Sequence, residues 1–152
     1  MTSVRSPRTL FLFLKFWYIK VMENCIFCKI VKGNISCDKV YEDENFIAFF
    51  DIEPVADGHL LLIPKEHIPW MQEAEDKTIS NIFILTKKLM LALKKGLSCD
   101  YIQVGVYGEE IQHLHIHLIP RYFNDNLPKF LRKKYKDNNQ IKELSEEIIQ
   151  AL

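Results

Sequence analysis

Gln112-His113-Leu114-His115-Ile116-His117-Leu118-Ile119-Pro120-Arg121 carries three of the chain's five histidines in five consecutive positions. Polar and apolar residues alternate from His113 to Leu118, the pattern of a half-buried strand. A period of two places His113, His115 and His117 on one face and Leu114, Ile116 and Leu118 on the other, towards a core. Pro120 is expected to stop the ladder. At ~3.3 Å per residue the outer two imidazoles stand ~13 Å apart on a straight strand, so one metal ion could take two of them but not all three. Three histidines in register therefore read as a site with divided roles rather than as a solvated face that happens to be rich in histidine.

Working backwards, Asp100 to Tyr107 reads as another strand, joined to the histidine strand through a tight Gly108-Glu109-Glu110 connection. A link that short holds no crossover, so the two strands pair antiparallel. Gly108 would let a phosphate approach backbone N–H groups, or would serve only as a turn. Residues 73–95 repeat apolar side chains at helical spacing (Ile79, Ile82, Phe83, Leu85, Leu89, Met90, Leu93), and Gly96 is placed as the helix terminator. Further upstream, residues 59–63 and 46–52 are apolar runs closed by Pro64 and by a turn cluster at residues 54–58. They read as a buried strand pair, preceded by a short strand near Val40. Residues 137–152 carry an amphipathic stripe of Ile141, Leu144, Ile148, Ile149 and Leu152. The order β-β-β-α-β-β-α implies an α+β fold with a mainly antiparallel sheet of about five strands, one long helix and a C-terminal helix.

With 152 residues, 20 basic and 20 acidic, the chain is large enough for one domain and offers no long electrostatic track for nucleic acid. A basic stretch at 129–136 with Phe130 and Tyr135 is too short to change that reading, and no nucleic-acid partner is expected. Four cysteines lack the density of a secreted disulfide scaffold and suit a reducing cytoplasm. Residues 1–21 differ from the rest. Their apolar run is broken by Lys15 and is too short to span a bilayer, and large residues follow where a signal peptide would need small ones. The segment reads as a membrane-surface anchor, a poorly ordered extension or a start placed too early; the last is favoured, with a natural start at Met22, the domain at 22–152 and no membrane partner expected.

Cys25-x-x-Cys28 is half a zinc site, a redox pair or two small buried residues, and His59, His67 and His113 are the histidines available to complete a metal set. Asp51 is a strand-end turn residue or a carboxylate at a pocket rim that could accept hydrogen bonds from sugar hydroxyls.

These blocks together resemble the histidine triad (HIT) family, in its bacterial hydrolase form with a CxxC. His113-Leu-His115-Ile-His117-Leu-Ile119 is similar to that family's signature. Cys25-Ile-Phe-Cys28, Phe49-Phe-Asp51-Ile-Glu-Pro54 and Gly58-His59-Leu-Leu-Leu-Ile-Pro-Lys65-Glu-His67 match its N-terminal half in order and spacing. The resemblance covers residues 23–121. It implies a HIT-like fold and a nucleotide hydrolase or transferase that cleaves at the α-phosphate of purine nucleotide conjugates, such as dinucleoside polyphosphates and nucleoside phosphoramidates. In that reading His115 is the nucleophile, His117 contacts phosphate and leaving group, and His59 faces the same pocket. Ile26, Phe27, Ile30, Phe49, Phe50 and Ile52 form a base slot, Asp51 holds the ribose and Gly108 borders the phosphate. The resemblance further implies structural zinc on Cys25, Cys28, His67 and His113, no catalytic cofactor, and a homodimer paired through the long helix and an edge strand. The sequence departs from the pattern at Val104-Gly105-Val106 and at Glu109-Glu110, where neutral polar residues are usual. Those carboxylates motivate the alternative of a non-catalytic purine-nucleotide-binding or partner-interaction protein. A metallohydrolase using His113 and His115 as ligands is a third reading.

Overall fold

The computed structural model describes residues 24–127 and 133–152. The expectations for residues 1–21, for the start at Met22 and for the first part of the basic stretch lie outside the described residues. The elements are α1 (Ile26–Val31), β1 (Lys39–Glu42), β2 (Phe46–Phe50), β3 (Leu60–Pro64), a 3-10 turn (Met71–Glu73), α2 (Asp76–Leu97), β4 (Tyr101–Val106), β5 (Ile116–Arg121) and α3 (Asn138–Ala151). The five strands form one antiparallel sheet in the order β1-β2-β3-β5-β4.

Both faces of the sheet centre are covered, which explains why β2 and β3 are continuous apolar runs rather than alternating ones. Phe46 and Ala48 of β2, Leu60 and Leu62 of β3, and Ile116 and Leu118 of β5 pack with Ile82, Leu85 and Leu89 of α2. The intervening residues Ile47, Phe49, Leu61 and Ile63 point the other way, against Phe27 and Ile30 of α1. Register matters for the site. Leu61 pairs with His117, so His117 lies on the α1 face of the sheet.

Several local expectations are corrected. The helix α1 was not foreseen, because six residues are too few to display helical periodicity. Gly96 lies inside α2. The left-handed residue that ends the helix is Ser98, with φ 53°. The connection between β4 and β5 is a loop over residues 107–115 rather than a tight turn, although the pairing is antiparallel as expected. Pro120 lies within β5 opposite Ile102. Proline is tolerated there because pairing to β3 has already ended at Leu118. His113 and His115 precede β5. The chain bends at His113, whose N–H bonds to the Ile111 carbonyl at 2.8 Å, and it re-forms contact through Leu114 N–H to the Ile68 carbonyl at 2.6 Å. The alternation of faces nevertheless persists, since Leu114, Ile116 and Leu118 all enter the α2-side core.

The C-terminal helix α3 forms as expected, with the Asp137 carboxylate accepting from Gln140 N–H as its N-cap. Its apolar stripe is uncovered within one chain: Ile141, Leu144, Ile148, Ile149 and Leu152 are all exposed.

Candidate functional site

The bend at His113 separates the three histidines into two groups. The first group joins the cysteines. Cys25, half-buried, caps the start of α1, and Cys28, buried, follows one turn into it. Cys28 Sγ lies 3.2 Å from His67 Nδ1 and 3.7 Å from His113 Nδ1. Cys25 Sγ lies 3.5 Å from His113 Nδ1, and the two Nδ1 atoms are 3.3 Å apart. Zinc bonds of ~2.05 Å to nitrogen and ~2.3 Å to sulfur at tetrahedral angles require edges of ~3.3 Å (N to N) and ~3.5 Å (N to S). The four residues thus form a cluster able to hold a metal ion. The orientation of His113 suits it: Nε2–H donates to the Pro64 carbonyl at 2.9 Å, leaving the Nδ1 lone pair for the cluster. Burial and the neighbouring Cys25 push the Cys28 thiol up to about 12, so without a cation it stays protonated.

The second group lies on the same sheet face. His115 Nδ1 is 2.6 Å from the His113 carbonyl, which can only accept, so Nδ1 carries the proton and Nε2 keeps its lone pair. The Phe27 ring stands edge-on to His115 at 5.2 Å and to His113 at 5.7 Å. His117 packs 4.9 Å from His115, 5.1 Å from His59 and 5.1 Å from Tyr107 between ring centres. His59 Nε2 and His117 Nδ1 are 2.9 Å apart, and His59 Nδ1 is 3.4 Å from an Asp51 carboxylate oxygen. The 2.9 Å spacing is a hydrogen bond. It is short of the ~3.3 Å edge that two nitrogens on one tetrahedral zinc would show. A metal shared by His113 and His115 is not supported either, because His113 turns its Nδ1 to the cysteines and His115 turns its Nδ1 to a carbonyl.

Burial lowers the pKa of His59, with Asp51 opposing, and that of His115. It carries His117 down to about 4, helped by His115 and His59. All three are neutral near neutral pH. The unfolded chain, with histidines near 6.5, binds protons that folded His59 and His117 refuse, so stability falls as pH drops from 6.5 towards 4. The urea midpoint should be level above about pH 7 and decline across that window. A midpoint that rose on acidification would contradict the burial of neutral imidazoles.

The residues assigned to a base slot divide. Phe27, Ile30 and Phe49 are core residues beside the histidines. Ile26 and Phe50 are exposed, and Ile52 is 87% exposed. Asp51 is half-buried, its second oxygen accepting from Glu53 N–H. Gly108 is held to glycine by the Trp70 ring, which a Cβ would strike. Glu109 and Glu110 are both exposed.

Two residues of the site were missed. Tyr107 lies over Gly105, where a Cβ would collide with its ring, and reaches His117. A glycine in a strand two residues before an aromatic is the signal that could have found it. Val55 donates its N–H to His59 Nδ1 at 3.2 Å, and nothing in a valine announces that. Gly58, with φ +85°, turns the chain directly before His59 and packs against Leu97 and Pro120 where a side chain would not fit.

An antiparallel five-stranded sheet with three imidazoles and a carboxylate gathered at one face, beside a Cys₂His₂ cluster, defines a histidine-triad architecture. Residues 32–124 match the HIT domain, and the chain belongs to the HIT family. A HIT-like protein of Borreliella burgdorferi is 38% identical over 135 residues, covering 84% of this chain and 97% of that one. An adenosine 5'-monophosphoramidase of Schizosaccharomyces pombe is 39% identical over 99 residues, 64% of this chain and 74% of that one. The crystal structure of a HIT-family member from Bacillus subtilis superposes with a TM-score of 0.76 at 33% identity, covering 85% and 97% of the two chains. A zinc-bound histidine triad protein from Mycobacterium smegmatis gives 0.67 at 27% identity, covering 86% and 99%.

Proposed function

We propose that this protein is a nucleotide hydrolase or transferase that cleaves purine nucleotide conjugates at the α-phosphate through a nucleotidyl-His115 intermediate. The observation that carries this reading is the hydrogen bond from His115 Nδ1–H to the His113 carbonyl, which leaves a neutral, lone-pair-bearing Nε2 facing the site. Nε2 attacks the α-phosphorus, an N–P bond forms, and the bond to the leaving group breaks with its electron pair going to the departing oxygen or nitrogen. Water then attacks the same phosphorus, breaks the N–P bond and releases the nucleoside monophosphate. His117 presents Nε2 to the phosphoryl or leaving atom, and His59 holds His117 from behind. Asp51 receives the ribose hydroxyls, with Phe27, Phe49 and the exposed Ile26, Phe50 and Ile52 around the base and Gly108 near the phosphate. The monophosphoramidase among the relatives supports a nucleoside phosphoramidate as one substrate class. Glu109 and Glu110 are solvated, so water screens their repulsion of an anionic substrate. That weighs against the purely binding alternative.

Incubation with adenosine 5'-phosphoramidate or a dinucleoside polyphosphate, rapid quenching at alkaline pH and peptide mass spectrometry test the reading. One nucleoside monophosphate added to the peptide bearing His115 is the expected result. An adduct on another residue, or turnover with none, overturns it.

The Cys25, Cys28, His67 and His113 cluster is assigned to zinc, in line with the zinc-bound relative. Bound there, zinc would supply a cross-link between α1, the segment after β3 and the approach to β5, and no chemistry. A cytoplasmic location fits the four unpaired thiols. Among the described residues no helix is long and apolar enough to cross a membrane. A homodimer is assigned through β4, the open edge of the sheet with exposed Tyr101 and Val106, and the outer face of α2 with exposed Phe83, Ile84 and Leu91. Sedimentation should give twice the chain mass, and Leu91→Glu should shift it towards the monomer. A wild-type monomer at micromolar concentration excludes the assignment.

A further inference from the structure

His59 Nδ1 faces two partners that ask for opposite proton positions. The Val55 N–H at 3.2 Å can only donate, and requires a lone pair on Nδ1. The Asp51 carboxylate at 3.4 Å can only accept, and favours a proton on Nδ1. The far side of the ring transmits the outcome, because His59 Nε2 is 2.9 Å from His117 Nδ1 and only one proton lies between them. With Val55 served, His59 carries its proton on Nε2 and donates to His117 Nδ1, and His117 carries its own proton on Nε2. With Asp51 served, both protons move to the Nδ1 atoms, and His117 Nε2 becomes a lone pair. The two neutral rings hold two protons in either arrangement. Among the described residues His117 Nε2 is buried with no hydrogen-bond partner, which makes it available to a substrate. His59 is sealed from water, with 1% of its side chain exposed, so solvent does not blur the choice.

We propose that Asp51 couples recognition of the sugar diol to the donor state of His117, with His59 as the positioning residue between them. The coupling rests on the reading of Asp51 as the ribose contact. Ribose hydroxyls donating to Asp51 satisfy the carboxylate and weaken its claim on His59 Nδ1. The Val55 bond then prevails, and His117 Nε2–H becomes a donor to the phosphoryl group. A conjugate without the diol leaves Asp51 pulling on His59 and His117 in the acceptor state, where its lone pair faces an anionic oxygen. The diol therefore affects the rate of the bound complex and not only its affinity. Asp51→Asn removes the carboxylate charge and supplies an amide that can donate to His59 Nδ1. That fixes the donor arrangement whatever the sugar.

Single-turnover rates at saturating substrate compare adenosine 5'-phosphoramidate with its 2',3'-dideoxy counterpart. In the wild type the dideoxy compound should react about tenfold or more slowly at saturation, approaching the loss for a removed oxyanion donor. In Asp51→Asn the two rates should agree within about twofold, the separation between them having been the carboxylate's effect. Equal saturating rates in the wild type, with only the half-saturation concentration changed, overturn the coupling while leaving the nucleotidyl-His115 reading intact. Long-range ¹⁵N–¹H spectra of the labelled protein test the coupling without turnover. Adenosine should move His117 to the tautomer protonated at Nε2, and 2',3'-dideoxyadenosine should not. A His117 signal unchanged by adenosine overturns the coupling. The expected shift in a protein that forms no adduct overturns the reading of catalysis instead.

Discussion

His115→Ala should lower kcat/KM for a nucleoside phosphoramidate by at least ~10⁴-fold, the scale of removing an attacking group that no neighbour replaces. The neighbours are close but wrongly presented. His113 has Nδ1 in the cysteine cluster and Nε2–H on the Pro64 carbonyl, so neither nitrogen is free to attack. His117 shares Nδ1 with His59. His117→Ala should cost less, ~10²–10³-fold, because it removes a donor and leaves the nucleophile. A kcat loss in His117→Ala with little change in affinity for the nucleoside monophosphate would mark a contact made mainly in the transition state. Calorimetric titration of His115→Ala with the monophosphate separates loss of chemistry from loss of fold, since the contacts proposed for Asp51 and Phe27 are left in place. Turnover by His115→Ala at the wild-type rate would refute the assignment.

The fold was largely legible because its strongest signals are periodic. The apolar runs at 46–50 and 60–64, the 3.6-residue repeat of α2 and the alternation through His117 each gave their element and its buried face. Signals that depend on one residue's backbone state were less reliable. Gly96 is permissive in a helix and need not end it, whereas Ser98 ends it in a conformation that serine seldom adopts. The turn before the histidines was misjudged for a related reason. Gly108 reads as a hairpin glycine, but its lack of a side chain makes room for Trp70, thirty-eight positions upstream. Nothing in the local sequence carries that contact.

The site was legible in composition and only partly in geometry. The CxxC spacing marked Cys25 and Cys28 but left His59, His67 and His113 open as partners, and it was the family resemblance that singled out the four residues that meet in the cluster. The bend at His113, which sends that residue to the cysteines while His115 and His117 stay with His59, follows from backbone bonds to Ile111 and Ile68 that a strand pattern hides. The apolar residues around Asp51 show the same limit. Hydrophobicity alone makes all of them core, which holds for Phe27, Ile30 and Phe49. Phe50 and Ile52 are exposed, because β2 ends at Phe50 and the chain turns out at the sheet's end.

Removing the zinc proposed for the Cys25, Cys28, His67 and His113 cluster should change stability far more than chemistry. An ion held at a free concentration ~1,000 times its Kd stabilises the folded chain by ~4 kcal/mol. For a chain of this size each kcal/mol moves Tm by ~2–4 °C, so chelation should lower Tm by ~8–16 °C. Cys28→Ala and His67→Ala should show a low Tm that chelator no longer shifts, since the site they complete is already broken. The size of the effect follows from what the cluster ties together: Cys25 and Cys28 on α1, His67 after β3, and His113 ahead of β5. Without a cation the Cys28 thiol is protonated and buried beside Cys25, His67 and His113. The α1 cap over Ile47, Phe49, Leu61 and Ile63 would then be held by apolar packing alone. Elemental analysis should find one zinc per chain. Well below the lowered Tm, the chelated protein should keep most of its turnover, because His115 is fixed by the His113 carbonyl rather than by the metal ligands' side chains. Loss of all turnover on chelation at a temperature where the fold persists would place the metal in the chemistry. An unchanged Tm would show that α1 is anchored without it.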